Sequence, residues 1–493
     1  MQRKKCLPIL AVLMLMAALL SSCRKLPQAV SSGQLGFSVD TLLFDTVFTD
    51  RGTSTRSVKI INKESQRIHI SNLRLFRGEH SPYFLNVNGK SGKVLNDIYV
   101  EANDSIWVFA SVFIDPGNQD EPFVVEDRLV AQVGTDEYNL PILAYGQDAI
   151  YITDSVLSSQ TWTKDKPYVI IHNALVDEGE LLSIEAGTRV YMHGDSRLYV
   201  LGSLQINGTK EDSVVFQGDR IDRRIYFDES GEDFANGARG EWGGLYFAQT
   251  SYNNRINYAY FKNGGASTYL GSSPVLDATI QVDPDTLLNG QPKLTITNSV
   301  IRNSAGYGIF AYNGSIKAEN CLIFASAKEN VALVLGGNYE FIGCTLANFT
   351  SRLSTPTQQF YGVVALNFYA TGNNQYLAAP LTANFSNCII YGNMANEFFA
   401  NKVDDVSASV TLNHCLLKQN EALPAWVSAN SNLFNENPLF VNTESNYLNI
   451  AADDYHLDEG SPARGRGVFL PGMLSNDIEG TPRGNPPSIG CYE

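Results

Sequence analysis

Six carboxylates crowd one short stretch of the chain: Asp219, Asp222, Asp228, Glu229, Glu232 and Asp233, interleaved with Arg220, Arg223 and Arg224 and followed by Trp242. Glycoside hydrolysis needs carboxyl groups in pairs, one to protonate the leaving oxygen and one to act as base or nucleophile. A polysaccharide lyase needs a base and a cation that neutralises the uronate, so calcium enters as a cofactor only under that reading. On this reasoning Asp219, Asp222, Asp228 and Glu229 are the candidate catalytic residues. The same run also fits a solvated loop of local ion pairs, the usual meaning of mixed charge. Asp404-Asp405 and Asp453-Asp454 read as turn residues. The histidines form no His-x-x-x-His and the cysteines no Cys-x-x-Cys, so no metal site and no other cofactor is expected.

The elements that would position such groups follow from a recurrent phrase. Asn298-Ser299-Val300-Ile301, Asn320-Cys321-Leu322-Ile323, Gly343-Cys344-Thr345-Leu346, Asn387-Cys388-Ile389-Ile390 and His414-Cys415-Leu416-Leu417 repeat the same residue classes, with Tyr258-Ala259-Tyr260-Phe261 as a looser copy. Asn, Gly and His tolerate a left-handed backbone, so the first position predicts a sharp bend between two strands. The second and fourth positions share one face of the following strand and point inward. Ser299 and Cys321 lie 22 residues apart, and Cys321 and Cys344 lie 23 apart. That period, with three short strands per unit and no helix, predicts the coils of a parallel β-helix. The longer intervals from Ala259 to Ser299 and from Cys344 to Cys388 read as single coils carrying insertions.

Cys321, Cys344, Cys388 and Cys415 then occupy one interior column as small hydrophobes, in a slot that Ser299 and Ala259 also fill. Cys23 is different. Arg3, Lys4 and Lys5 precede an apolar run from Leu7 to Leu20, too short to span a bilayer, and then Leu20-Ser21-Ser22-Cys23. This ending resembles the bacterial lipobox, which implies cleavage before Cys23, acylation of Cys23 and membrane attachment through the lipid. Loss of residues 1–22 removes three positive charges and takes the formal net charge from −15 to −18. Such a field disfavours nucleic acid as a partner.

Residues 37–148 alternate apolar and polar positions between turn clusters, as in Ser57-Val58-Lys59-Ile60-Ile61 and Ser105-Ile106-Trp107-Val108-Phe109, and read as an immunoglobulin-like β-sandwich. The expected order is a signal peptide (1–22), a tether (23–36), this sandwich (37–148), a right-handed parallel β-helix (149–430) and a C-terminal cap (431–493). The fold class is all-β throughout.

Phe44-Asp45-Thr46-Val47-Phe48, Leu143-Ala144-Tyr145-Gly146-Gln147-Asp148, Ile184-Glu185-Ala186-Gly187-Thr188, Trp242-Gly243-Gly244-Leu245, Asn437-Pro438-Leu439-Phe440, Gly460-Ser461-Pro462-Ala463 and Ile489-Gly490-Cys491-Tyr492-Glu493 stand along the chain in that order. Together these stretches resemble a family of Bacteroidota envelope lipoproteins that pair such a sandwich with a right-handed parallel β-helix of the pectin-lyase type. Cys491 departs from the pattern, which more often has alanine there. The resemblance implies a fold and an envelope location more than an activity. Lipoproteins of this group that reach the cell surface usually carry acidic residues after the acylated cysteine. Arg24-Lys25 is basic, so the periplasmic side of the outer membrane is favoured.

In enzymes of the pectin-lyase type, saccharides lie along the first sheet of the coil. That sheet is expected at Gly244 to Ala248, Gly308 to Tyr312, Val331 to Leu335 and Gly362 to Leu366. Its outward row is Tyr246, Phe310, Tyr312, Ala332, Val334, Val364 and Leu366, with no acid or base among them. Tyr246, Phe310 and Tyr312, with Trp242, are the candidate ligand-binding residues, because aromatic rings between loops stack on sugars. Insertions near 270–292, 350–361 and 371–381 either wall this row into a groove or fold over it and bury it. A second outward column, Lys262, Arg302, Phe324, Ala347, Tyr391 and Lys418, offers contacts to an anionic sugar.

Asp followed by Ser or Thr and an aliphatic residue recurs, as at Asp40-Thr41-Leu42 and Asp285-Thr286-Leu287, and resembles the acceptor motif of Bacteroidota O-glycosylation. Thr41 and Thr286 are the candidate sites, although such triplets also suit turns entering strands. The expected function is a non-catalytic, lipid-anchored envelope protein binding a polysaccharide or an envelope protein. The alternative is a polysaccharide lyase or glycoside hydrolase working from the Asp219 to Trp242 loop.

Overall fold

The computed structural model describes residues 30, 32–48, 55–114, 123–194, 196–219, 239–270, 273–286, 290–349, 360–372, 375–443 and 453–493. It forms two compact units that divide between Gln147 and Asp148. The leader, Cys23, and the candidates Asp222, Asp228 and Glu229 lie outside the described residues.

The first unit is a β-sandwich of two five-stranded sheets. Alternation does the work here: Val58 and Ile60 from Arg56–Asn62, Val108 and Ala110 from Asp104–Val112, and Leu129 and Ala131 from Phe123–Val133 all point into one apolar core. The sandwich begins earlier than residue 37. Val30 bridges Ile68, and Leu35–Phe37 pairs antiparallel with Arg56–Asn62, so the end of the expected tether is strand.

The second unit is a parallel β-helix. A typical coil runs Val300–Arg302, Tyr307–Tyr312, Ser315–Glu319, and then Leu322–Phe324 opens the next coil directly above the first strand. These three directions give three faces, called here third, first and second in that order. The recurrent phrase marks the corner between second and third faces, and its first residue is left-handed in every copy: φ is 46° at Tyr258, 48° at Asn298, 52° at Asn320, 56° at Gly343, 53° at Asn387 and 51° at His414. Asparagine adds more than tolerance of that backbone. Asn298 Nδ2 donates to Asn257 Oδ1 at 3.1 Å and Asn320 Nδ2 to Asn298 Oδ1 at 3.1 Å, so amide groups link successive coils along the corner.

The cysteine column is interior, as its spacing predicts. Cys321, Cys344, Cys388 and Cys415 are free and buried. Each thiol donates to the carbonyl two residues before it and to one in the preceding coil; Cys388 Sγ, for example, reaches Ser386 O at 3.3 Å and Phe341 O at 3.4 Å. Burial pushes the Cys321 and Cys388 thiols well up, which leaves them as packing groups.

Three features of this unit differ from the expected layout. The 270–292 stretch is not all insertion. Ala278–Val282 is a first-face strand lying in register between Gly244–Phe247 and Tyr307–Tyr312. The C-terminal segment, in turn, packs along the side of the helix. Tyr455, Ile478 and Cys491 cover Leu322, Phe324 and Ala347 on the third face, and Leu457, Ala463 and Ile489 cover Ile389 and Leu416. The helix itself continues past residue 430, since Leu433–Phe434 pairs with Leu416–Leu417.

Candidate functional site

The outward row of the first face is continuous over seven coils. Tyr199, Tyr246, Gln281, Phe310, Ala332, Val364 and Phe399 stand opposite one another in register. Parity puts them there, because their strand neighbours Leu198, Leu245, Ile280, Ile309, Leu333, Ala365 and Ala400 line the helix core.

Most of the expected aromatic platform is covered. Phe310 is 4% exposed and packs with Ala278, Ala332 and Val334. Tyr307 closes over it from one side, with ring centroids 5.0 Å apart. Tyr312 is half-buried and meets Tyr369 of the inserted hairpin edge-on at 5.4 Å. Tyr246 is half-buried, and its hydroxyl is hydrogen-bonded to Asp283. Burial first, and then that carboxylate, push the phenol above its ordinary range. Trp242 is not a ligand contact. It lies wholly in the helix core against Phe216, and its Nε1 donates to Lys262 O at 2.7 Å. It precedes Gly243 at the corner between third and first faces, where its ring turns inward to fill the coil.

The row emerges at its far end. Phe399 is 37% exposed and stacks on Tyr361 at 5.0 Å with the rings 19° apart. The neighbouring hairpin of Phe368–Gly372 and Gln375–Ala378 presents Tyr369 at 41% and Tyr376 at 51% exposure. The expected first sheet stopped at Leu366 and so missed Phe398–Asn401, which pairs with Val363–Leu366. A signal was available: Phe398 follows Ile390 by eight positions, just as Ile309 follows Ile301.

The second outward column does not serve as a sugar contact in its middle. Phe324 and Ala347 are buried under the C-terminal segment, Phe324 against Tyr455 at 4.8 Å. Arg302 is buried beside Tyr260. Lys418 Nζ donates to Gly392 O at 2.8 Å.

Ionisable groups gather at the two edges of the first face. On the edge where its strands begin, Asp277 accepts from Ser267 Oγ at 2.7 Å and pairs with Lys328 at 3.3 Å, while Lys328 lies over the Tyr307 ring at 5.0 Å. Glu329 stands next to them, and burial lifts its carboxyl to about 7. On the opposite edge Lys293 Nζ donates to four carbonyls, those of Ala248 and Pro284 at 2.7 Å and those of Gln249 and Asp283 at 3.1 Å. Burial lowers its pKa to about 8. Asp219, the one described member of the acidic run, is bound to His193 Nδ1 at 2.7 Å, a pairing that no sequence spacing suggested. No group of three metal-ligating side chains occurs among the described residues. Thr286 is exposed, with Oγ1 donating to Gln249 O at 3.2 Å, and Thr41 is half-buried.

No family model and no curated protein matches the chain. Several solved structures are similar to it. The A-module of the Azotobacter vinelandii mannuronan C-5 epimerase AlgE6 is 11% identical, over 59% of this chain and 83% of that one, with a TM-score of 0.26. The catalytic unit of a GH87 α-1,3-glucanase from Streptomyces thermodiastaticus is 11% identical, over 76% and 88%, with a TM-score of 0.23. A PapD-like domain of human CEP192 is 12% identical, over 25% and 92%, with a TM-score of 0.17. Values this low carry no activity over to this chain, and the fold assignment rests on the strand register itself.

Proposed function

We propose that this chain is a lipid-anchored envelope protein, held on the periplasmic side of the outer membrane through Cys23, whose β-helix binds a glycan without transforming it. One observation carries the glycan reading. The outward row of the first face ends in an exposed ring, Phe399 stacked on Tyr361, and the hairpin that follows Val363–Leu366 exposes Tyr369, set edge-on against Tyr312, and Tyr376, set against Phe368. Planar rings held rigidly by a sheet offer stacking surface at little entropic cost, which suits the faces of sugar rings. An envelope protein would reach the same patch as an alternative partner. The test is glycan-array binding by the full mature chain beside Phe399→Ala and Tyr369→Ala. Binding that weakens at least tenfold in both variants, with melting unchanged, supports the reading. Undiminished binding in both refutes it.

The enzymatic reading keeps one specific support. Glu329, Asp277, Lys328 and Tyr307 share one edge of the first face, and a carboxyl titrating near neutrality suits general acid or base work. A screen for new reducing ends and unsaturated products across polysaccharides tests it, with Glu329→Gln as the control that must abolish any turnover.

A further inference from the structure

One sheet of the sandwich turns an aromatic face outward. Its strands run Leu35–Phe37, Arg56–Asn62, Asp104–Val112, Tyr83–Val87 and Lys90–Gly92 in spatial order. Parity sends Val108, Ala110 and Val112 into the core and their neighbours Trp107, Phe109 and Phe113 to the outside. Phe84 joins them from the adjoining strand, opposite Ser111 and so diagonal to both phenylalanines. Trp107 is 47% exposed, Phe84 45%, Phe109 42% and Phe113 40%. Large apolar groups gathered on an otherwise polar surface mark a contact with another apolar surface.

Charge says what kind of surface that is. Across the five strands the outward positions hold Lys59 and no carboxylate, in a chain of formal net charge −15. Lys59 stands opposite Trp107 with Nζ 4.6 Å from its ring, and Lys93, at the rim, has Nζ 4.8 Å from the Phe84 ring. The outer face of the other sheet carries acids instead, Asp97 paired with His69 at 2.9 Å and Glu137 with Arg74 at 2.7 Å. Aromatic rings with ammonium groups beside them suit the headgroup region of a bilayer. There the rings enter the acyl boundary, and lysine stems carry their charges back to the phosphates.

Chain length brings this face to a bilayer. Val30, bridged to Ile68, is the first described residue and follows Cys23 by seven positions. Seven peptide steps reach at most about 25 Å. Leu35–Phe37, which follows, is the edge strand of this same sheet, and the strand of Trp107 lies two spacings in from it, about 10 Å. A chain acylated at Cys23 therefore keeps the sandwich close to the membrane, at high effective concentration, and one of its surfaces must face it. The aromatic face without carboxylates is the one that gains from the contact.

We infer that this face, centred on Trp107, Phe109 and Phe84, lies on the phospholipid surface of the membrane that holds the anchor, with Lys59 and Lys93 among the phosphates. The inference rests on the acylation of Cys23 proposed above and adds a second, protein-borne contact. Trp107 is its own probe, because it is the one exposed tryptophan: Trp162 and Trp242 are buried and Trp426 is half-buried. The lipidated mature chain is reconstituted into vesicles of phosphatidylethanolamine and phosphatidylglycerol, with and without bromine on the acyl chains, and the Trp107 signal is read as the difference from Trp107→Phe. Brominated lipid is expected to quench that signal by about half or more. Phe109→Glu is expected to restore most of it, with melting unchanged. Flotation with the vesicles reports the anchor separately. A chain that floats with Trp107 unquenched, or with equal quenching in Phe109→Glu, overturns this inference and leaves the anchor standing. Native protein without lipid on Cys23 overturns both. Trp107 shielded from aqueous acrylamide in a vesicle-free, unlipidated chain starting at Arg24, with that chain sedimenting as a dimer, assigns the face to a second copy and overturns the membrane contact.

Discussion

Arg483 Nη2 donates to Asn320 Oδ1 at 2.7 Å across 163 positions of sequence, joining the C-terminal segment to a bend of the β-helix. The same asparagine donates from Nδ2 to Asn298 Oδ1 at 3.1 Å and to Asn476 O at 2.8 Å. One amide therefore serves both the ladder between coils and the segment lying over it. Arg483 also donates to Gly490 O at 3.0 Å and its side chain is wholly buried. Arg483→Ala should cost about 2–4 kcal/mol by chemical denaturation, since buried charge-assisted bonds are lost and Asn320 keeps an unmet acceptor. Limited proteolysis should cut the variant first within 453–493. Unchanged stability would mean that apolar contacts alone hold the segment.

Cys344 is wholly buried between Cys321 and Cys388 in the interior column. Cys344→Asp should destabilise by several kcal/mol, because a carboxyl there has no partner, whereas Cys344→Ala and Cys344→Ser should be far milder. Equal melting of the Asp and Ala variants contradicts the interior placement.

Phe310 and Phe399 share one outward row but differ in cover. Phe310→Ala should cost about 3–4 kcal/mol as a large-to-small change in a packed cluster, with no direct effect on ligand. Phe399→Ala should leave melting nearly unchanged and weaken glycan binding. The reverse pattern would invert the assignment of buried and exposed ends.

Glu329 supplies a pH dependence. Burial raises its folded-state pKa to about 7 from the ordinary 4.5, so between these values the folded chain holds a proton that the unfolded chain has released. Its contribution to stability is therefore full below about 4.5 and is lost as pH rises toward 7. Glu329→Gln should flatten that part of the stability-against-pH curve and make the protein more stable at pH 7.5. Parallel curves for wild type and variant would show that the group titrates normally.

Intact-mass measurement of protein purified from its native envelope addresses the two modifications expected from the sequence. Acylation at Cys23 predicts a chain beginning at that residue and carrying lipid mass. Glycan is expected on Thr286, which is exposed, in preference to Thr41, which is half-buried. A delipidated mass equal to that of the bare polypeptide excludes glycosylation.

Much of the β-helix was legible in the amino-acid order because its determinants are local and repeat. A left-handed corner at Asn298, Asn320, Gly343, Asn387 and His414, followed by small and large apolar residues two apart, specifies a turn and an inward face within four positions. Neighbouring copies then have no other register in which both faces are satisfied. The strand Ala278–Val282 escaped notice because the phrase marks a different corner from the one it follows, so nothing in the repeat announces it. The site was less legible still. Whether Phe310 meets solvent depends on Tyr307 and on a hairpin carrying Tyr369; whether Phe324 does depends on Tyr455, more than a hundred positions later. Alternation decides that a side chain points outward, but only the tertiary structure decides what lies over it, since burial by a distant segment is selected by packing between surfaces that share no local pattern.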